Sequence, residues 1–167
     1  NLALGETYKI SRKEHLAEYD GLPTLAKLNL LSEKKGLSKK QFDHIWKEKQ
    51  QNTLKIFNES INKDYELMQY FKQLVDEGYK IAVASNSIRN TVKIILLRLG
   101  LLEFVDIYVS NEDVVRNKPY PEMYWKCMMS LGALPQDTVI IEDSVVGRKG
   151  ALDSKCHMIP VEDREDL

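Results

Sequence analysis

The acidic pair Glu142-Asp143 follows the apolar run Val139-Ile140-Ile141 at the point where a strand must end. Three β-branched residues in a row predict a strand buried on both faces, so both carboxylates are expected at the carboxyl end of a core strand. Ser144 is placed to cap a helix that starts immediately afterwards, and Gly147 would let that helix pack close to whatever the acids hold. In open α/β sheets, ligands bind at this rim. Carboxylates with no Cys or His beside them suit a hard cation such as Mg2+, which takes oxygen ligands and keeps waters that a phosphate can replace. Taken alone, the same pair could simply be an acidic cluster favoured by a helix dipole.

Two more polar clusters follow predicted strands. Ser85-Asn86 offers a hydroxyl, an amide and the N–H groups of a helix start, which is an anion-binding arrangement. Lys118 precedes the rigid Pro119-Tyr120-Pro121, so its ammonium has a fixed approach and can neutralise phosphate oxygens and a nearby carboxylate. Each cluster also has a plain structural explanation, as a cap, a solvated loop lysine or a dipole partner. Serine, lysine and acids in this order on three strand ends favour phosphoryl chemistry over three coincidences.

Placing these groups on one rim requires alternating strands and helices, and the later part of the chain has that grammar. Leu67, Phe71, Leu74 and Val75 mark a helix ending at Gly78, and Tyr79 to Ala84 read as a buried strand. Ser85-Asn86-Ser87 closes the strand and caps a helix holding Val92, Ile95, Leu96 and Leu99, which Gly100 stops. A strand from Asp106 to Val109, the Lys118 loop and a helix from Glu122 to Leu131 follow. The acidic strand, its helix through Leu152 and a last strand near His157 to Val161 complete the pattern. Short connections of this kind imply a parallel sheet with helices on both faces.

Before about Asn62 the signals are helical. Asn1 to Gly5 read as the tail of a helix, Ser11-Arg12-Lys13-Glu14 has capping-box spacing, and Leu25, Leu28 and Leu31 form a stripe that Gly36 ends. Ser38 caps a longer helix whose buried candidates are Phe42, Ile45, Trp46, Leu54 and Phe57. A small antiparallel helical bundle is expected there.

Bulk properties narrow the partners. A formal net charge of -1 over 167 residues gives no electrostatic argument for nucleic acid or an anionic membrane, and no apolar run reaches membrane-spanning length. Cys127 and Cys156 make neither a disulfide framework nor a closely spaced ligand pair, so a reducing cytoplasm is the default expectation.

Val83-Ala84-Ser85-Asn86-Ser87, then Ser110-Asn111-Glu112-Asp113-Val114 leading to Asn117-Lys118-Pro119-Tyr120-Pro121-Glu122, then Ile141-Glu142-Asp143-Ser144 with Gly147 and Ala151, resemble motifs II, III and IV of the haloacid dehalogenase superfamily. The upstream helical segment is similar to the cap of the β-phosphoglucomutase-like branch, and Asp20-Gly21-Leu22-Pro23-Thr24 resembles its substrate-facing cap loop. The resemblance implies an α/β fold, with a Rossmann-like parallel core over residues 64–167 and a small helical cap over residues 1–63. It also implies Mg2+-dependent phosphoryl transfer on a small phosphate ester, in which one aspartate attacks phosphorus and a second handles protons. By position, Ser85 and Asn86 would hold phosphoryl oxygens and Lys118 would neutralise charge on the transferring group. Asp143 would be a direct metal ligand, with Glu142 a ligand or its support. Lys49 matches a cap lysine that reaches substrate in relatives, although a solvated helix face is the plainer role for it.

One motif has no counterpart. Motif I is an apolar strand ending in two aspartates one residue apart; nothing before Leu16 is such a strand, and Asp20-Gly21 follows a helical stretch. The expectation is a phosphatase fragment that lacks its nucleophile and acid/base aspartates and is inactive alone. Its sheet would miss the central strand, and although the parent is expected to be monomeric, the gap could recruit another chain. Residues 162–167 read as a helix start, and Ser154-Lys155 stands where relatives carry a helix-ending glycine. Two other readings stay open: a sugar phosphomutase, and a non-catalytic phosphate-binding module. A phosphoacceptor receiver domain also gathers acids, a Ser/Thr and a Lys-Pro on one sheet edge, but there the acids come first and the lysine last.

Overall fold

The computed structural model describes residues 1–162, and the helix start expected at residues 162–167 lies almost wholly outside them. Two compact units divide the chain between Ile61 and Asn62, close to the change of pattern at Lys63-Asp64.

The first unit is helical. Ser11 accepts from the Glu14 N–H while the Glu14 carboxylate accepts from the Ser11 N–H, closing the expected capping box on the short helix α1 (Arg12–Glu14). A π-helical turn, His15–Tyr19, continues it. Helix α2 (Thr24–Lys35) ends at Gly36, whose φ of 71° is the left-handed cap that a glycine accepts at least cost. After a 3-10 turn capped by Ser38 comes α3 (Phe42–Ser60). Tyr19, Leu28, Leu31, Leu37 and Ile45 form the core, with Leu4, Tyr8, Ile10 and Phe42 packed against it. Three expectations need correction, the first being Trp46, which is exposed on α3 rather than buried. Asn1 to Gly5 form turns rather than a helix tail, held by the Asn1 side chain, which bonds both the N–H and the C=O of Ile10. Leu25 is 60% exposed, so the buried stripe of α2 consists of Leu28 and Leu31 alone.

The second unit alternates helix and strand. Helix α4 (Tyr65–Asp76), capped by Asp64, precedes strand β1 (Ala82–Ala84), and α5 (Arg89–Leu99) precedes β2 (Ile107–Val109). Helix α6 (Glu122–Leu131) follows the Lys118 loop; β3 (Val139–Glu142), α7 (Val145–Ser154) and β4 (His157–Pro160) complete the unit. All pairing is parallel, as βαβ connections require: β1 with β2 and β3 with β4. Among the described residues the strands make two two-stranded sheets, with the break between β1 and β3 where the central strand is expected to be missing. Helix α6 serves both, since Ala84 on β1 belongs to the cluster around Met123 and also to the cluster around Tyr124.

The expectation that the Val139-Ile140-Ile141 strand is buried on both faces does not hold. Ile140 and Glu142 are buried, whereas Val139 and Ile141 are each 55% exposed. One face of the β3 strand packs on Tyr124 and Ala151, and the alternating side chains of the strand's other face stay in solvent. The strand expected from Tyr79 shrinks to Ala82–Ala84 for a similar reason, because Tyr79 and Lys80 are exposed and the Ile81 N–H donates to the Asp106 carboxylate instead of a ladder partner.

Helix α7 ends on Lys155, the one non-glycine residue with positive φ (68°) among those described. A side chain in that conformation is strained relative to glycine. Lys155→Gly should therefore raise stability by about 0.5–1 kcal/mol, read as a higher urea midpoint with an unchanged slope. A midpoint equal to or below that of the parent chain would show that the terminus carries no such strain.

Candidate active site

The ends of β1 and β3 are joined by a side chain. Lys118 Nζ donates to the backbone oxygen of Ala84 at 3.0 Å and to Glu142 Oε2 at 2.6 Å. Both partners of this ion pair are buried, Lys118 being 8% and Glu142 7% exposed. Two charges removed from water are tolerated only when further hydrogen bonds satisfy them. Here Oε2 also accepts from the Tyr124 hydroxyl at 2.8 Å, and Oε1 accepts from the Ser144 N–H at 3.1 Å and the Ser144 hydroxyl at 2.7 Å. Burial by itself would push the Glu142 carboxyl up, but the Lys118 ammonium and the bonds from Lys118, Ser144 and Tyr124 outweigh it and hold the group below the usual carboxylate range.

Small residues make room for this cluster. A Cβ on Gly147 would fall within 3.0 Å of Glu142 Cδ and both its oxygens. On Gly150 it would crowd the backbone oxygens of Pro119 and Tyr120, at 3.1 and 3.2 Å. Ser144 caps α7 as its position predicts, its hydroxyl accepting from the Gly147 N–H at 3.1 Å while donating to Glu142. Arg148 then fixes the strand ends from the same helix, with Nε to Glu142 O at 3.3 Å and Nη2 to Val161 O at 2.7 Å. Asp143 is exposed at the rim; desolvation, and after it the hydrogen bond and charge of Glu142, push its carboxyl up.

Ser85 leaves β1 at the same rim. Its Oγ accepts from the Ser87 N–H at 3.1 Å, and a hydroxyl that accepts one bond still has its own proton to donate. The residues Ser85 to Ser87 do not cap α5, however. The N-cap is Ile88, with no side-chain bond, and the Arg89 N–H donates instead to Glu112 at 2.6 Å. Asn86 uses its amide on the Lys118 main chain, accepting from the N–H at 3.1 Å and donating to the C=O at 3.3 Å.

Carboxylates from both ends pin the loop that carries Lys118. Asp113 accepts from the N–H and hydroxyl of Ser110 at 2.8 and 2.6 Å and pairs with Arg89 through both oxygens at 2.9 Å. Glu122 accepts from the Val115 and Arg116 N–H groups. The Lys118–Pro119 peptide is cis. Ser85, Asn86, Lys118, Glu142 and Asp143 thus gather around one rim of the second unit. Lys49 belongs to the first unit, on α3, where it is half-buried and burial pushes its ammonium down.

Sequence reasoning missed Tyr124 and Arg148. The signal for Tyr124 was a tyrosine on the buried face of α6, since a buried phenol needs a partner. Desolvation, followed by the charge of Glu142, raises its pKa, so it stays a donor. Its ring also lies 5.1 Å from Lys118 Nζ. Tyr124→Phe removes a bond to a charged acceptor and should cost about 1.5–3 kcal/mol in denaturant unfolding. An unchanged midpoint would mean that Glu142 draws nothing from the phenol.

Residues 2–161 match the family model for haloacid dehalogenase-like hydrolases. The chain belongs to this family. Among curated members it is similar to the pyrophosphatase PpaX of Halalkalibacterium halodurans, 37% identical over 83 residues that make up 48% of this chain and 39% of that protein. The PpaX of a Bacillus cereus strain is 34% identical over 90 residues, 52% of this chain and 40% of that protein. The chain therefore spans about two fifths of the length of these relatives. Two solved structures share the fold of this family member. β-Phosphoglucomutase from Clostridium difficile has a TM-score of 0.81 at 20% identity, over 99% of this chain and 76% of that one. CbbY from Rhodobacter sphaeroides, solved in complex with phosphate, has a TM-score of 0.82 at 19% identity, over 97% and 75%. The family's α/β core with a helical cap is the architecture found here.

Proposed function

We propose that the protein to which this chain belongs is a Mg2+-dependent phosphatase acting on a small phosphorylated metabolite. The observation that carries this reading is the Lys118 ammonium, bonded at once to the end of β1 and to Glu142 beside Asp143, with the Ser85 hydroxyl on the same rim. In the proposed roles the Ser85 hydroxyl donates to a phosphoryl oxygen, and Lys118 neutralises charge on the transferring group. Glu142 has four donors on its two oxygens, which suits a group that fixes Lys118 and orients Asp143 rather than one that gives up bonds to a metal. Asp143 remains as the carboxylate for a cation. Among the described residues no three His, Cys, Asp or Glu side chains group to hold a metal. A carboxylate donor such as Asp143, with no Cys or His beside it, suits Mg2+, which takes one or two carboxylates and completes its shell with waters and phosphate. When bound, Mg2+ would stabilise negative charge on the phosphoryl oxygens.

Supplied with Mg2+, the whole protein should hydrolyse p-nitrophenyl phosphate, and Lys118→Ala should lower kcat by about 100-fold or more. No turnover across a panel of phosphate esters and pyrophosphate would sink the proposal. Return of the phosphoryl group to a sugar instead of water, seen by product analysis, would make the protein a mutase. These 167 residues alone are proposed to hold phosphate without turnover, because covalent transfer needs a nucleophile and no motif I aspartate is among them.

A further inference from the structure

Lys118 is bonded on both sides of Ser85. Its ammonium donates to the Ala84 carbonyl at 3.0 Å, and its own backbone is clasped by the Asn86 amide at 3.1 and 3.3 Å. Residues 84 and 86 are 34 and 32 positions away from it in sequence, so no local geometry imposes this. The clasp has the form of a strand pairing in which a side-chain amide replaces the neighbouring strand. It serves a backbone that needs one, because Lys118 is buried in a loop before a proline and its N–H and C=O have no ladder to join. A planar amide held at both its oxygen and its nitrogen by one residue takes its orientation from that residue.

From this juxtaposition we infer that Asn86 is a positioning residue: it acts on phosphate through Lys118, by fixing the spacing between the Ser85 hydroxyl and the Lys118 ammonium. The inference rests on the phosphate-binding reading above and deepens it. The sequence places Asn86 among the groups that touch phosphoryl oxygens, whereas the clasp gives its side chain a different target. Because Asn86 follows Ser85 directly, one dipeptide carries the hydroxyl and sets the cation at a fixed reach from it. A shift of the Lys118 backbone would move the ammonium away from both Ala84 and Glu142, so a loosened clasp weakens the site without removing any group that contacts the ligand.

The test is a double-mutant cycle on inorganic phosphate binding, followed by calorimetric titration of the wild type, Asn86→Ala, Lys118→Ala and the double variant. Asn86→Ala alone should weaken binding about tenfold, while in the Lys118→Ala background it should cost less than about twofold. Losses that multiply would mean Asn86 meets the phosphate itself and would overturn the inference, while leaving the phosphate site standing. A wild type that binds no phosphate would overturn both. Amide hydrogen exchange at Lys118 gives an independent reading that does not depend on a variant folding. The Lys118 N–H of the wild type should be protected, and Asn86→Asp, which keeps the acceptor and loses the donor, should retain more protection than Asn86→Ala. An unprotected Lys118 amide in the wild type would overturn the clasp outright.

Discussion

Gly147→Ala is expected to cost about 3 kcal/mol or more of stability and to abolish phosphate binding, although it adds a single methyl group to a helix. Alanine is a better helix former than glycine, so on an exposed helix face the change would stabilise by roughly 1 kcal/mol. Here the new Cβ would fall within 3.0 Å of the Glu142 Cδ and both its oxygens, a separation that real contacts do not reach. The carboxylate has no direction in which to yield. Lys118 and Tyr124 hold one oxygen, and the Ser144 hydroxyl and N–H hold the other. Overpacking a rigid site costs about 1–3 kcal/mol, and displacing Glu142 adds the penalty of a buried ammonium without its counter-ion. Urea unfolding measures the first effect and phosphate titration the second. A variant as stable as the parent would show that α7 can slide away from Glu142. Gly147→Ser is expected to behave no better, since its side chain begins with the same Cβ.

The order of the site was legible in the sequence because each of its parts is announced locally. Ser85 and Glu142 stand where an apolar run stops, Lys118 stands in a proline-marked loop, and Gly36 and Gly100 end their helices in the left-handed conformation that makes glycine the usual choice. The helix from Glu122 to Leu131 has the bounds its pattern predicts. What could not be read is which long-range partner each polar group selects. Asn86 chose the Lys118 backbone, Tyr124 chose Glu142, and the α5 N-terminus was served by Glu112, all through contacts 18 or more positions apart. Burial of the strands was misread because an apolar residue reports what it prefers and not what is packed against it. Val139 and Ile141 have the composition of a doubly covered strand, yet each is 55% exposed. Apolar residues on a surface are ordinary, so composition alone cannot separate the two cases.

The second large effect separates what the Lys118–Glu142 pair does for the fold from what it does for the site. Lys118→Met keeps the stem and deletes the ammonium, leaving a buried carboxylate whose depressed pKa depends on that charge. The expected cost is about 3–5 kcal/mol, because the uncompensated charge is what destabilises. Adding Glu142→Gln removes the charge and keeps one acceptor oxygen for Ser144, while its NH2 can donate to the Tyr124 hydroxyl, which has the Gly147 carbonyl as its other acceptor, so the double variant should recover at least half of that loss. Phosphate affinity should stay as weak as in Lys118→Met, since neither replacement supplies a cation. The pH dependence gives the same answer by another route. A carboxyl held below its unfolded value contributes stability that is complete above that value, about 4.3, and disappears as pH falls toward its folded pKa. The stability difference between the parent chain and Glu142→Gln should accordingly shrink below about pH 4 and stay constant above about pH 6. A double variant no more stable than Lys118→Met, with no such convergence at low pH, would mean that Lys118 holds the ends of β1 and β3 together by its hydrogen bonds alone and that the buried charge of Glu142 is incidental.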